Sequence, residues 1–134
     1  MSRSLPSSAT EDGATASMGG PVVRGRPLSE VKADLFRALA HPARIRVLEV
    51  LSDGERSVGE LQPVVGIESS HLSQQLAILR RAGIVTARKD GSSVLYTIRD
   101  RELTVLLASA RRLLINSMTE TRDLLHDLLD ERPG

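Results

Sequence analysis

The sequence predicts a mainly α-helical domain that carries one β-hairpin, with its elements in the order α-α-α-α-β-β-α. Apolar residues recur at helical spacing in several successive segments of the 134-residue chain. Two short apolar runs flank the dipeptide Asp90-Gly91, which is a strong hairpin signal. The last segment has no proline between Asp100 and Pro133, so it is predicted to be one long helix.

The N-terminal segment differs in composition from the rest of the chain. Residues 1–27 are rich in Ser, Ala, Thr, Gly and Pro and contain few apolar residues. Such a segment buries too little surface to offset its ordering entropy, which predicts a disordered tail. We expect the folded domain to span residues 28–130, with Ser29 capping the first helix.

Local signals place the next three helices. Pro42 suits the first turn of the second helix, because its missing N–H would have no helical partner there. Ser57 and Glu60 have the spacing of a capping box and predict a short third helix. The fourth helix is expected to span residues 69–82, with Gly83 directly after it as the residue that terminates the helix.

The last helix is longer than the domain requires. It is expected to span about 28 residues, which corresponds to about 40 Å at 1.5 Å per residue. Its apolar stripe predicts pairing with a second copy of the chain, and a monomeric core helix is the alternative. The residues predicted to form this dimer interface are Leu103, Leu107, Ala110, Leu114, Thr121 and Leu124.

A short helix, a tight turn and a helix with an exposed polar face make a helix-turn-helix, and the hairpin follows directly. Polar side chains near the start of the fourth helix suit the base edges of a DNA major groove, while basic groups at its end and on the hairpin suit phosphates. The predicted DNA-binding residues are Ser69, Ser70, His71, Ser73, Gln74, Gln75, Arg80, Arg81, Arg88, Lys89 and Ser92.

The net charge of +1 conceals an uneven distribution. Residues 69–99 carry five of the 18 basic residues and only one of the 17 acidic residues. This concentration favours a nucleic-acid partner over a winged helix that docks on another protein, which is the alternative function.

Other classes of protein are disfavoured. The chain has no cysteine, no Gly-rich phosphate loop and no convincing Ser/His/Asp grouping, so we do not expect an enzyme. It has no apolar run of about 18 residues and no secretory signal, which predicts a cytoplasmic protein without a membrane span.

The segments "LFRALAHPARIRVLEVL", "SVGEL" and "SSHLSQQLAILRRAGIVTARKDGSSVLYTI" resemble the ArsR/SmtB family of winged helix-turn-helix repressors. The resemblance implies a homodimer formed through the first and last helices. It also implies that each subunit reads half of an inverted repeat and that an inducer releases the DNA. Many members carry His where this chain has Gln75. A MarR-type regulator is the nearest alternative among DNA-binding proteins.

The metal sites of that family are absent in their usual form. The third helix lacks cysteines, and Leu113 and Ile115 stand where an Asp-x-His pair is expected. A weak metal candidate is formed by Asp123, His126 and Asp130, which share one helical face and suit nickel or zinc as an effector. A solvated acidic helix end is the simpler interpretation. A small molecule, expression level or a partner protein are equally compatible as the means of regulation.

Overall fold

A computed structural model describes residues 20–131 of the chain. The described chain divides into two compact units, one that ends at Ile45 and one that begins at Arg46. This boundary falls inside the second helix, whereas the sequence prediction placed a boundary before residue 28.

The first unit begins with a small hairpin inside the predicted tail. Strands β1 (Val22–Val23) and β2 (Arg26–Pro27) pair antiparallel. The two turn residues, Arg24 and Gly25, both have positive φ, the combination of a type I′ turn. The prediction of a disordered tail was therefore wrong for residues 22–27, and residues 1–19 lie outside the described residues. The overall composition of residues 1–27 could not predict this hairpin, because the hairpin depends on the backbone conformation of two turn residues.

Helix α1 (Leu28–Leu39) begins directly after this hairpin. Its N-cap is Pro27, which offers no side-chain hydrogen bond, so the prediction of Ser29 as the cap was wrong. The backbone N–H of Leu28 donates to the carbonyl of Pro21 at 2.7 Å. That bond joins the helix start to the hairpin.

Helices α2 (Pro42–Leu51) and α3 (Val58–Val65) begin as predicted. Nδ1 of His41 accepts a hydrogen bond from the N–H of Ala43 at 3.1 Å and so satisfies one of the free donors at the start of α2. At α3, Ser57 and Glu60 form the predicted capping box, with bonds of 3.1 and 2.9 Å.

Helix α4 (Ser69–Arg81) follows a turn at Gly66, whose φ of 78° is favourable for glycine. Leu72, Leu76 and Leu79 recur at helical spacing along α4 and face inward, since all three side chains are fully buried. The core of the second unit consists of Val47, Leu48, Leu51, Leu61, Leu72, Leu76, Leu79, Ile84, Val85 and Leu103.

The hairpin belongs to a three-stranded antiparallel sheet. Strands β4 (Val85–Asp90) and β5 (Ser93–Ile98) pair with each other, and β3 (Arg56–Ser57) adds to the other side of β5. The last pair is Asp90 with Ser93, so the turn consists of Gly91 and Ser92 and lies one residue later than predicted. Gly91 has a φ of 63° at the first turn position, as in a type II′ turn.

Helix α5 (Glu102–Asp130) has 29 residues, which agrees with the predicted length. The carboxylate of Asp100 accepts a hydrogen bond from the N–H of Glu102 at 2.9 Å and so satisfies a donor in its first turn. Every residue from Ala110 to Glu131 is exposed. Within residues 20–131, no helix combines the length and the apolar character needed to cross a membrane.

The capping box gives the first prediction. Replacing Ser57 by Ala removes the acceptor for the N–H of Glu60. The free energy of unfolding should fall by about 1 kcal/mol, the usual effect of losing such a cap. Urea denaturation at a fixed protein concentration measures it. Ser29→Ala is the control and should change stability by only a few tenths of that value, because the structure gives Ser29 no capping role.

Candidate nucleic-acid interface

The helix-turn-helix consists of α3, the turn at Gly66 and α4. Leu61 of α3 and three leucines of α4 are fully buried, so the face of α4 opposite to them is turned to solvent. A short helix followed by a helix with an exposed polar face is the arrangement in which the second helix enters a major groove.

The solvent face of α4 carries most of the residues predicted to contact DNA. The exposed ones are Ser69, Ser70, Ser73, Gln74, Arg80 and Arg81. His71 is half-buried and already engaged in an interaction within the described chain. The hydroxyls and the amide lie in the first half of the helix and the guanidinium groups at its end. The helix therefore offers hydrogen-bonding groups and positive charge on one surface.

Gln75 does not belong to this surface, and its assignment as a DNA contact is wrong for this structure. Its side chain is 6 % exposed and interacts within the described chain. It lies three residues after Leu72 and directly before Leu76, which puts it on the buried face of the helix. Helical periodicity alone would have assigned Gln75 to the interior, beside these leucines.

The wing, residues 85–98, brings further basic groups beside α4. Lys89 and Ser92 are exposed at its tip, as predicted. Arg88 is also exposed, but its guanidinium is engaged: Nε and Nη2 each donate to the carboxylate of Glu55 at 2.8 Å. The Oγ1 of Thr97 donates to the same carboxylate at 3.2 Å.

Glu55 is a contact of the wing that could not be predicted from the sequence. It lies in the loop before β3, 33 residues away from Arg88, and no local pattern links the two. The hydrogen bonds from the Arg88 guanidinium hold the pKa of the Glu55 carboxyl below its ordinary value. The same pair raises the pKa of Arg88. The charge of Arg88 is therefore largely balanced by Glu55, and the pair ties the wing to the loop before β3.

The predicted dimer residues of α5 divide into two groups. Leu103 is 8 % exposed and belongs to the core of its own chain, so its assignment to a dimer interface is wrong. Leu107 is half-buried. Ala110, Leu114, Thr121 and Leu124 are exposed, and Leu114 is 60 % exposed. The apolar stripe thus begins in the core and continues into solvent.

The weak metal candidate is not assembled. Nε2 of His126 lies 3.6 Å from Oδ2 of Asp130, as an ordinary ion pair one turn apart. Residues 20–131 contain no group of three or more His, Asp or Glu side chains placed to hold a metal ion. Asp123 lies on the same exposed part of α5, but the three side chains are not placed to hold a metal ion.

Comparison with known proteins identifies the family. Residues 41–87 match the family described as "Bacterial regulatory protein, arsR family". Over 107 residues, the chain is 50 % identical to the uncharacterized HTH-type transcriptional regulator Rv0081 of Mycobacterium tuberculosis, with 79 % of this chain and 94 % of that protein covered. The chain belongs to the ArsR family of bacterial regulatory proteins. The expected resemblance is confirmed.

Other similarities agree with this assignment to the ArsR family. The crystal structure of Rv0081 gives a TM-score of 0.67 at 52 % identity and covers 72 % of this chain and 97 % of that one. The transcriptional activator HlyU of Vibrio cholerae is 37 % identical over 101 residues, which is 69 % of this chain and 94 % of HlyU.

A solution structure extends the likeness to a protein described as a dimer. A fragment of Mb0332 from Mycobacterium bovis, described as a homodimeric winged helix-turn-helix DNA-binding domain, gives a TM-score of 0.66 at 27 % identity. The match covers 77 % of this chain and 95 % of that one. The ArsR-family chain is accordingly a DNA-binding transcription regulator with a winged helix-turn-helix fold, and not an enzyme.

The ion pair between Glu55 and Arg88 predicts a pH-dependent stability. Because the folded-state pKa of Glu55 is lowered, its contribution is present at neutral pH and is lost as the pH falls below about 4.3, the ordinary pKa of a glutamate. Glu55→Gln should melt at a lower temperature than the wild type at pH 7. The difference should shrink steadily as the pH approaches 3.

Thermal melting followed by circular dichroism measures this difference. Glu120→Gln on the exposed part of α5 is the matched control and should show no such trend. A gap between Glu55→Gln and wild type that stays constant from pH 7 to pH 3 would contradict an ionic role for Glu55.

Proposed function

We propose that this ArsR-family regulator binds an inverted-repeat operator as a homodimer and represses transcription until an inducer releases the DNA. The observation that carries the proposal is the exposed polar face of α4 beside a basic hairpin. Each protomer presents one such surface, which suits one half-site of the operator. A symmetric dimer presents two of them, which suit an inverted repeat.

The residues of the interface have different proposed roles. Ser70, Ser73 and Gln74 read base edges, since their exposed donors and acceptors lie in the first half of α4. Arg81 and Lys89 contact phosphates and supply most of the salt-dependent affinity. Ser69, Arg80 and Ser92 are further proposed contacts to DNA. Arg88 acts mainly through its ion pair with Glu55.

The proposed dimer is supported by the exposed part of α5. Leu113, Leu114, Met118, Leu124 and Leu125 are each more than half exposed, with values from 57 to 69 %. Apolar side chains in such a long contiguous stretch mark an interaction surface. A second copy of the same helix covers it with matching apolar side chains, and the likeness to homodimeric Mb0332 supports that choice of partner.

The direction of regulation is part of the proposal. A dimer that occupies an operator overlapping a promoter lowers transcription by excluding RNA polymerase. Because such a regulator acts on chromosomal DNA, it works in the cytoplasm of the bacterium. A reporter gene placed behind the promoter tests this direction, and we expect deletion of the regulator to raise its expression. Lower expression after deletion would instead indicate an activator, which is how HlyU is named. A metal at Asp123, His126 and Asp130 is not part of the proposal, because the three side chains are not gathered.

Fluorescence anisotropy tests DNA binding directly. The promoter fragment upstream of the gene for this protein is compared with scrambled DNA of the same length over a salt series. We expect tighter binding to the promoter fragment and a linear fall of log affinity with log salt concentration. Weak and equal binding to both DNAs would instead favour the protein-docking alternative.

The same assay assigns a base reader. Gln74→Ala removes an exposed amide from α4. Binding to the promoter fragment should weaken by about 1–3 kcal/mol, while binding to scrambled DNA stays nearly unchanged. Arg112→Ala, which lies on α5 outside this surface, is the control and should bind both DNAs like the wild type. An equal loss on both DNAs would remove Gln74 from the base-reading set.

Analytical ultracentrifugation tests the dimer. Leu114→Glu places a charge at the centre of the exposed apolar face of α5 and should produce a monomer, because the paired carboxylates would be buried without partners. Leu114 is chosen over Leu107, which is half-buried within its own chain. Asn116→Glu lies on the opposite side of the same helix and should remain dimeric. Dimerisation of Leu114→Glu with unchanged affinity would place the interface elsewhere.

A further inference from the structure

A cleft of about 430 Å³ lies between α4 and β5 in the second unit of the chain. It is lined by Ser73, Ala77, Arg80, Arg81 and Tyr96. Its four residues from α4 form one stripe along the helix. Ala77 lies four residues after Ser73, and Arg80 and Arg81 lie three and four residues after Ala77. Tyr96 comes from the middle strand of the sheet and was not among the residues predicted to bind DNA.

The polar groups of this cleft are not satisfied within the described chain. Across residues 20–131, the hydroxyls of Ser73 and Tyr96 and the guanidinium groups of Arg80 and Arg81 have no hydrogen-bond or ion-pair partner. The lining also contains no carboxylate. Two positive charges and two hydroxyl donors therefore face one space, which is the chemistry of an anion site.

Two other clefts of the same unit lack this character. The cleft of about 330 Å³ beside α2 and α5 contains Glu49, which pairs with Arg46 at 3.5 Å. The cleft along the end of α5 contains Asp123 and the His126 that pairs with Asp130. Acidic groups in both reduce the attraction for an anion.

We propose that the cleft between α4 and β5 binds a backbone phosphate of DNA, with Tyr96 donating a hydrogen bond and Arg80 and Arg81 supplying the charge. This inference rests on the proposed DNA binding and deepens it. The phosphate belongs to DNA because one end of the cleft is formed by Ser73, which with the adjacent Gln74 is among the proposed base readers. A backbone that passes the end of a helix in the major groove reaches such a position.

A phosphate bound in this cleft also constrains how the protein is positioned on DNA. Tyr96 lies in the strand that pairs with Arg56 on one side and Ala87 on the other. A phosphate held by both α4 and this strand touches the recognition helix and the sheet of the wing together. The contact therefore fixes the register of the helix along the DNA without reading a base.

Tyr96→Phe tests the proposal, because it removes only the hydroxyl and keeps the ring. By anisotropy, the variant should bind the promoter fragment and scrambled DNA about tenfold more weakly, with the ratio of the two affinities unchanged. The salt slope should stay the same, since the hydroxyl is neutral, whereas Arg81→Ala should lower it by about one. Thr86→Val, which removes an exposed hydroxyl from β4 outside the cleft, is the control and should bind like the wild type.

The position of the contact is tested with modified DNA. Methylphosphonate groups, which remove the charge of single phosphates, are placed one by one along the operator. At one position in each half-site, the difference between wild type and Tyr96→Phe should disappear. Tyr96→Phe binding equal to the wild type, or a loss that no single phosphate accounts for, would overturn the role of the cleft while leaving DNA binding itself intact. Failure of the wild type to bind DNA would overturn both proposals.

Fluorine NMR distinguishes DNA from a free anion. Tyr96 is the one tyrosine of the chain, so replacing it with fluorotyrosine gives a single resonance that reports on this cleft. The resonance should shift on addition of the operator duplex at stoichiometric amounts and stay in place with inorganic phosphate at millimolar concentration. A saturable shift with inorganic phosphate alone would identify a small-anion site and overturn the assignment to the DNA backbone.

Discussion

The burial of one face of α4 is the constraint on which the DNA-binding surface depends. Leu72, Leu76 and Leu79 are completely buried, and exposing each of them would cost about 1.5–3 kcal/mol. The helix therefore cannot rotate about its own axis. Because successive residues are turned by about 100°, fixing the leucines also fixes the direction of Ser73 and Gln74. The apolar core thus positions the polar groups that we propose as the DNA contacts.

The wing is positioned by an ionic contact between distant parts of the chain. Glu55 joins the loop before β3 to Arg88 on β4 and to Thr97 on β5. The pair is partly exposed, so it adds little to stability. Its main effect is on geometry and charge, since it restrains the hairpin and balances the charge of Arg88. Under the proposed function, the positive charge that meets DNA then comes from the end of α4 and from Lys89.

Features set by near neighbours could be predicted from the sequence. Ser57 and Glu60 lie three residues apart, and Pro42 acts through its own fixed φ, so both of these signals were read correctly. The pairing of Glu55 with Arg88 spans 33 residues and depends on the completed sheet. Periodicity also cannot distinguish burial within one chain from burial between two, which is why Leu103 was assigned to the dimer.

The two ends of α5 connect folding to DNA binding. Leu103 lies in the core, and Thr104 donates a hydrogen bond to the Oγ of Ser52 at 3.3 Å, so the start of the helix is held by its own chain. The remainder, from Ala110 onward, has no such cover. Within each protomer, the charge of Arg88 is already balanced by Glu55. Under the proposed function, joining two copies makes the second half-site an intramolecular target, which raises affinity without any added contact in either half. A continuous helix from the core into the partner also keeps the separation of the two recognition helices fixed, and a palindrome requires that fixed separation.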